Sequence, residues 1–307
     1  MERNGITIPP AIKIDGYKKH YFRFDMGPLN LEIPQGFTTA IIGENGAGKS
    51  TLLDALGGIT SSQEKITWLG KYKNLDQNDG EPREEIGWCA ANRYFPINWT
   101  IRHVKKSLSL GFENYNEERF DSICREFGLG DELDSKHHKK LSAYSDGNRA
   151  RLAIASVLSR NTKMMIFDEP DAALDPVVRD VLNSKFREYI SNGNGETSIL
   201  FSTHNIADME SVVDYVIYLA YGRVVAQGFV EDLREQYRYV HGPRVFAEQY
   251  LSLMEHYYFE EEGKNKESGG LMEGLCKAEN ADKFDEHFAV EVPTLQQLSV
   301  LILRSAD

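Results

Sequence analysis

Cysteine is scarce: three residues in 307, Cys89, Cys124 and Cys276, lie far apart and form no CxxC pair. That excludes a disulfide framework and a cysteine-rich zinc site, and suits a reducing compartment. Positive charge is also short, with 35 Lys+Arg against 47 Asp+Glu and a formal net charge of −12. A general nucleic-acid binder gains affinity by neutralising phosphates with clustered Lys and Arg, so nucleic acid is not an expected partner. Long hydrophobic runs are missing. The most apolar window, 212–229, is interrupted by Asp214, Arg223 and Gln227 and is too polar to span a bilayer. The first residues carry no apolar signal-peptide core. Any membrane role is therefore expected to come through a partner. What remains is ordinary for a globular chain, 41% hydrophobic and 27% charged, long enough for one large or two medium domains.

The first stretch reads as short strands at 12–14, 21–26 and 29–33, with a turn at Gly27-Pro28. A compact β-rich run at 38–42 feeds a glycine-rich loop, and a helix is expected over 50–56. From 101 to 160 the apolar spacing turns helical, beginning with Ile101, Val104 and Leu108. Buried-strand candidates follow at 164–167 and 198–202, separated by a helix over 177–190. A further pair at 215–219 and 223–226 turns at Tyr221-Gly222. Strands alternating with helices imply a mostly parallel sheet covered on both faces. Beyond Gly228 the chain reads as charged helix, then as a flexible loop over 260–270, then as a strand at 287–292 and a last helix at 294–303.

The loop is Gly43-Glu44-Asn45-Gly46-Ala47-Gly48-Lys49-Ser50-Thr51, which matches G-x-x-x-x-G-K-[ST] between a strand and a helix. Its glycines let successive N–H groups turn inward around phosphates, at a helix end that favours negative charge. Lys49 would reach the β- and γ-phosphates of ATP, and Ser50 would offer its hydroxyl to Mg²⁺. Backbone N–H groups and one lysine can hold a nucleotide even in an acidic protein. Downstream, an apolar run at 164–167 ends in Asp168-Glu169. The first carboxylate can hold the metal through its water shell, and the second can align and polarise an attacking water.

Asp168-Glu169-Pro170, Ala173-Leu174-Asp175-Pro176 and Ser202-Thr203-His204 resemble, in order and spacing, the second Walker motif, D-loop and switch histidine of ATP-binding-cassette (ABC) ATPases. Tyr144-Ser145-Asp146-Gly147-Asn148, upstream of Asp168, resembles the signature motif of that family. The resemblance runs from about Ile12 to Gly228. It implies an α/β phosphate-loop NTPase of the ABC type, with a mixed sheet, an N-terminal antiparallel β portion and an inserted helical subdomain. On this basis 1–230 is the ATPase domain, with the helical insertion at about 92–160, and 231–307 is a small C-terminal α/β appendage.

The resemblance also implies roles. Glu169 is the general base and Asp168, with Ser50, serves the metal. His204 contacts the γ-phosphate and links it to the base, and Asp175 communicates across a dimer. Ser145 and Gly147 close on the γ-phosphate of the partner's nucleotide. Tyr21 is the candidate for stacking on adenine, with Tyr17 and Phe22 competing for that place.

Two departures from the family pattern stand out. Tyr144, Asp146 and Asn148 replace the usual Leu, second Gly and Gln of the signature. An aspartate facing triphosphate repels it, which weakens dimer closure or calls for an unlike partner. The family places a glutamine near Ala91, where only Asn92 could substitute. The loop holding Trp88, Tyr94 and Phe95 is then the expected contact for a helix of the permease.

The implied unit is a head-to-tail dimer, homomeric or heteromeric, binding ATP and Mg²⁺. Partnered with a transmembrane permease, it would lie at the cytoplasmic face of the cell membrane and power a transporter. The 288–298 segment is similar to the tail of bacitracin-exporter ATPases, which favours export. The alternatives are a soluble ABC ATPase coupled to no membrane and an importer subunit. Importer subunits often carry a β-rich C-terminal domain, whereas 231–285 reads mainly helical and charged.

Overall fold

The computed structural model describes residues 1–3, 5–61, 65–75, 81–90, 94–134, 139–260 and 270–306. The N-terminal strands are long: β1 (Pro10–Tyr21) and β2 (Phe24–Pro34) pair antiparallel as one hairpin. The reversal falls at Phe22-Arg23, not at Gly27-Pro28, which lies inside β2 beside a shift in register. Gly27 is needed there for closeness rather than for turning. Its φ is 84°, and a Cβ would sit 2.2 Å from the carbonyl oxygen of Tyr17.

Next come β3 (Thr38–Ile42), α1 (Lys49–Leu56), β4 (Ile66–Trp68) and β5 (Ile86–Ala90). The helical stretch holds α2 (Ile101–Gly111), α3 (Glu117–Glu126), the short α4 (Gly130–Asp134) and α5 (Asp146–Leu158). Thr100 and Asn116 cap α2 and α3 with their side chains, each accepting from the third backbone N–H of its helix. Then follow β6 (Met164–Asp168), α6 (Pro176–Asn192), β7 (Ser198–Thr203), β8 (Tyr215–Ala220) and β9 (Arg223–Phe229). Asp175 caps α6 and Pro176 opens it, a position where a missing N–H costs nothing.

A six-stranded sheet has the order β9-β8-β3-β7-β6-β5, parallel except for β9. Its central strands β3 and β7 are buried throughout, as a sheet covered on both faces requires. The antiparallel sheet β2-β1-β4 packs on the face of α1, where Ile12, Ile14, Ile33, Leu52, Leu56 and Trp68 form one buried cluster. Cys89, Cys124 and Cys276 are buried and unpaired.

After Gly228 the structure departs from the sequence reading. Among the described residues that read as charged helix, α7 (Val230–Gln236) is the one α-helix. Short 3₁₀ turns lie at Arg244–Phe246, Glu248–Leu253 and Ala278–Lys283, and β10 (Tyr237–Pro243), β11 (Met254–Phe259) and β12 (Leu271–Lys277) occupy much of the rest. With β13 (Ala289–Glu291) they form an antiparallel sheet in the order β11-β12-β10-β13. Exposed residues alternate with half-buried ones on β11, where Glu255 and Tyr257 face outward between Met254, His256 and Tyr258. The stretch expected as a flexible loop lies outside the described residues over 261–269. The last helix, α8 (Leu295–Arg304), starts with a capping box between Thr294 and Gln297. Its Leu295, Leu298, Leu301 and Ile302 join the cluster that also holds Val216, Tyr218 and Phe201 of the central sheet. The C-terminal segment is thus welded to the sheet through a common core.

Candidate functional site

The glycine-rich loop sits at the end of β3, at the centre of the sheet, where the chain must turn from strand to helix within a few residues. Gly46 and Gly48 have φ of 87° and 105°, a region that costs glycine nothing. Gly48 is the cap of α1 and supplies no side-chain hydrogen bond, so the first N–H groups of the helix are left for a ligand. Space is equally restrictive. A Cβ at Gly48 would lie 2.6 Å from Phe24 and Met26, and one at Gly43 would lie 2.3 Å from the carbonyl oxygen of Leu219. The loop is tied outward as well. Gly222 N–H donates to the Ala47 carbonyl at 3.0 Å, and Gly27 N–H donates to Gly222 at 2.9 Å, which anchors loop and N-terminal sheet together.

Lys49 is only 5% exposed. Its Nζ donates to the carbonyl oxygens of Gly43 (2.8 Å) and Glu44 (3.2 Å), and lies 3.6 Å from Glu169 Oε1. A buried ammonium curled back on its own loop, with a carboxylate beside it, fits an anion expected at the helix end. Ser50 is exposed at the start of α1.

Asp168 ends β6 in register with Ser202 of β7. The Ser202 hydroxyl donates to Asp168 Oδ1 at 2.6 Å and accepts from the Glu169 N–H at 3.0 Å. Glu169 itself has φ of 45°, a left-handed position unusual for glutamate. The bend brings its Oε1 to 3.4 Å from His204 Nδ1, next to Lys49. One carboxylate oxygen thus meets both a lysine and a histidine. Charge from Asp168 reaches Asp54 on α1, whose carboxyl is raised first by burial and then by that neighbour. Negative charge gathers behind the loop, which suits a cation. Among the described residues no three His, Cys, Asp or Glu side chains form a metal cage. A metal here would rest on Ser50, Asp168 and phosphate oxygens, the manner of magnesium.

The remaining sequence candidates are dispersed. Ser145 caps α5, accepting from Asn148 N–H at 3.1 Å. Gly147 is in close contact: a Cβ there would lie 2.8 Å from the Ala173 carbonyl oxygen. Asp146 is largely exposed and paired with Arg149 within the same turn, so its charge is partly offset in its own chain. Asp175 accepts from Val178 N–H at 3.1 Å and pairs with Arg151 of α5. Backbone donors, with a smaller share from Arg151, hold its carboxyl below the ordinary value.

Tyr17 is buried in the core, which removes it from the adenine candidates, and Phe22 stands 93% exposed at the hairpin tip. Tyr21 is 42% exposed, with its ring centroid 6.5 Å from that of Phe24. Phe24, which sequence reading passed over, is the aromatic that touches Gly48. Ser202, which holds Asp168 and the Glu169 N–H, was also passed over, because its contact depends on sheet register. Ala91 and Asn92, the place of the absent glutamine, lie outside the described residues. The aromatics expected to meet the permease, Trp88, Tyr94 and Phe95, are half-buried against the chain's own core. Trp88 lies against Gly57 and Tyr94, and Tyr94, Phe95 and Trp99 form a chain of ring contacts on the chain's own core.

Residues 26–172 match the sequence model of the ABC transporter family. The chain is 27% identical over 265 residues to the phosphate import ATP-binding protein PstB of Mycoplasma pneumoniae, covering 77% of this chain and 79% of that protein. It is 29% identical over 238 residues to the Nod factor export ATP-binding protein I of Rhizobium leguminosarum bv. viciae, covering 76% and 74%. It is 30% identical over 216 residues to the energy-coupling factor transporter ATP-binding protein EcfA2 of Ligilactobacillus salivarius, covering 67% and 72%. A solved ATP-binding subunit of an ABC transporter shares the fold at a TM-score of 0.64, with 23% identity, over 74% of this chain and 92% of that one. No helix among the described residues is long and apolar enough to cross a membrane. The chain belongs to the ABC transporter family, as one of its ATP-binding, ATP-hydrolysing subunits.

Proposed function

We propose that this chain drives a transmembrane permease by closing in pairs on ATP and reopening after hydrolysis, with Glu169 as general base. The observation that carries the reading is the meeting of Lys49, Glu169 and His204 at one carboxylate oxygen, beside the open end of α1. The N–H groups of Gly46–Lys49 and the Lys49 ammonium bind the phosphates, exchanging the lysine's backbone partners for phosphate oxygens. Magnesium, held by Ser50 and Asp168, would neutralise charge on the terminal phosphates. Glu169 accepts the proton of the attacking water while His204 fixes the orientation of its carboxylate. Ser145 and the first turn of α5 present a capped helix end for a second copy's nucleotide. Asp175 and Arg151 join that helix to the loop after Glu169.

Two observations bear on direction and they pull apart. The 288–298 segment favours export. The antiparallel C-terminal sheet, a feature the resemblance associates with importer subunits, favours import. The test is co-expression with a hydrophobic permease that co-purifies with the chain, followed by Mg-ATP-driven transport in inside-out vesicles. Accumulation assigns export. ATP-dependent depletion of preloaded vesicles assigns import. ATP hydrolysis that no permease alters would sink the transport reading.

A further inference from the structure

Asp171 lies between the two carboxylates and the Asp175 cap, and it is only 4% exposed. Its Oδ2 accepts from the Thr203 hydroxyl at 3.2 Å, while its Oδ1 is buried with no hydrogen-bond partner. Burying a carboxylate is costly, and a half-satisfied one more so. The neighbouring groups show what the charge meets. Thr203 also accepts from Asn205 N–H at 3.0 Å, so it is the hinge post of the loop that carries His204. Arg179 of α6 donates to the Leu174 carbonyl at 2.9 Å and pairs with Asp208, and its Nε is likewise buried without a partner. Asp208 accepts the Asn205 amide at 2.8 Å, and Asn183 donates to its carbonyl at 2.9 Å. The charges of Arg179 and His204 both act on Asp171 against the effect of its burial.

One polar knot therefore holds two segments: 171–174 leading to the α6 cap, and 203–208 carrying the histidine. We propose that Asp171 is a positioning residue for hydrolysis, fixing the loop of His204, and so its distance to Glu169, to the segment that ends in Asp175. The inference rests on the roles given above to Glu169 and His204. Through Asp175 and Arg151 the same knot reaches α5, so displacement of that helix on closure is felt at His204.

The test measures steady-state ATP hydrolysis by the full chain, with Glu169→Gln as reference. Asp171→Ala is expected to lower kcat about tenfold, a modest misplacement of a reacting group, with KM within about twofold. Asp171→Asn keeps an oxygen for Thr203 and should stay within about threefold of the parent rate. In a His204→Ala background, Asp171→Ala should cost nothing further, since it acts through that histidine. Parent kcat in Asp171→Ala, or an equal loss in both backgrounds, overturns the proposal. If Asp171→Ala does not fold, Thr203→Val carries the same comparison. A Glu169→Gln variant that still turns over defeats the proposed function separately.

Discussion

The hydroxyl of Ser202 lies 2.6 Å from the carboxylate of Asp168, and the same oxygen accepts the N–H of Glu169. One buried serine thus orients two successive acidic residues for which different tasks are proposed. Hydrogen bonds to charged groups contribute about 1.5–3 kcal/mol. Asp168 is half-buried and water can replace part of that, so Ser202→Ala should destabilise the fold by about 1–2 kcal/mol. Its larger effect should be on turnover, with the Mg²⁺ concentration for half-maximal rate raised several-fold. Chemical denaturation and a magnesium titration of ATPase activity check both. An unchanged magnesium dependence would show that Ser202 is only packing.

Glu169→Gln should leave ATP binding intact and lower turnover about a hundredfold or more, the upper range of general-base loss. The amide keeps the shape and the left-handed backbone but cannot take a proton. Lys49→Ala should lose nucleotide binding instead, because a buried ammonium 3.6 Å from Glu169 has no replacement. Retention of more than about a tenth of the rate in Glu169→Gln would assign the base elsewhere.

Gly48→Ala tests the loop's steric logic. At φ 105° alanine is strained, and its Cβ would meet Phe24 and Met26 at 2.6 Å. ATP affinity should fall at least tenfold, with a stability loss of about 1–3 kcal/mol. Gly46→Ala shares the positive φ but opens into free space, so it should cost less in both respects. Equal losses at the two glycines would argue that contact with Phe24 contributes nothing. Isothermal titration with a non-hydrolysable ATP analogue reads the comparison.

The phosphate loop and the Asp168-Glu169 pair were legible because each is a run of adjacent residues whose chemistry is local. The Ser202 contact was not, since it exists only through the pairing of β6 with β7, set by the whole sheet. The aromatics near the loop were open in the sequence for a related reason. Register shifts along the β1–β2 hairpin turn Tyr17 into the core and bring Phe24 to Gly48. In the C-terminal part, alternating charges obscured a period of two. Asp146 was expected to face a bare triphosphate, and its pairing with Arg149 could not be seen without helix geometry.

Asp171 sets a pH dependence of known sign. Burial, the largest influence, raises its carboxyl above the ordinary value of 3.8. The folded state therefore binds this proton more readily than the unfolded state. Its stability contribution is full at acid pH and is lost as pH rises through the folded value. Asp171→Asn removes that loss, so it should raise Tm at pH 7, with the gain shrinking towards pH 4. Scanning calorimetry at several pH values reads it. A gain that grows on acidification would mean the carboxylate is stabilised in place, by Arg179 above all.

The last prediction concerns pairing of two copies. Each copy carries a net charge of −12, and each bound nucleotide adds more, so the apposed faces repel at low salt. Ser145 caps α5, leaving Asp146 in the first turn, where its carboxylate opposes an incoming phosphate even though Arg149 shares its charge. In the Glu169→Gln background, which traps ATP, sedimentation should show monomer without nucleotide and dimer with it. Asp146→Asn should tighten that dimer about twofold to fivefold at low salt, the range of an exposed charge pair. The gain should fade as salt shortens the screening length to about 8 Å at physiological strength. Arg149 stays anchored to the carbonyls of Leu141 and Tyr144, so the substitution leaves a cation at the helix start instead of a loose side chain. Ser145→Ala should act the other way, because it strips the cap that holds the first turn in place. A weaker dimer in Asp146→Asn would mean the Asp146–Arg149 pair orders the signature loop, and that order outweighs repulsion there.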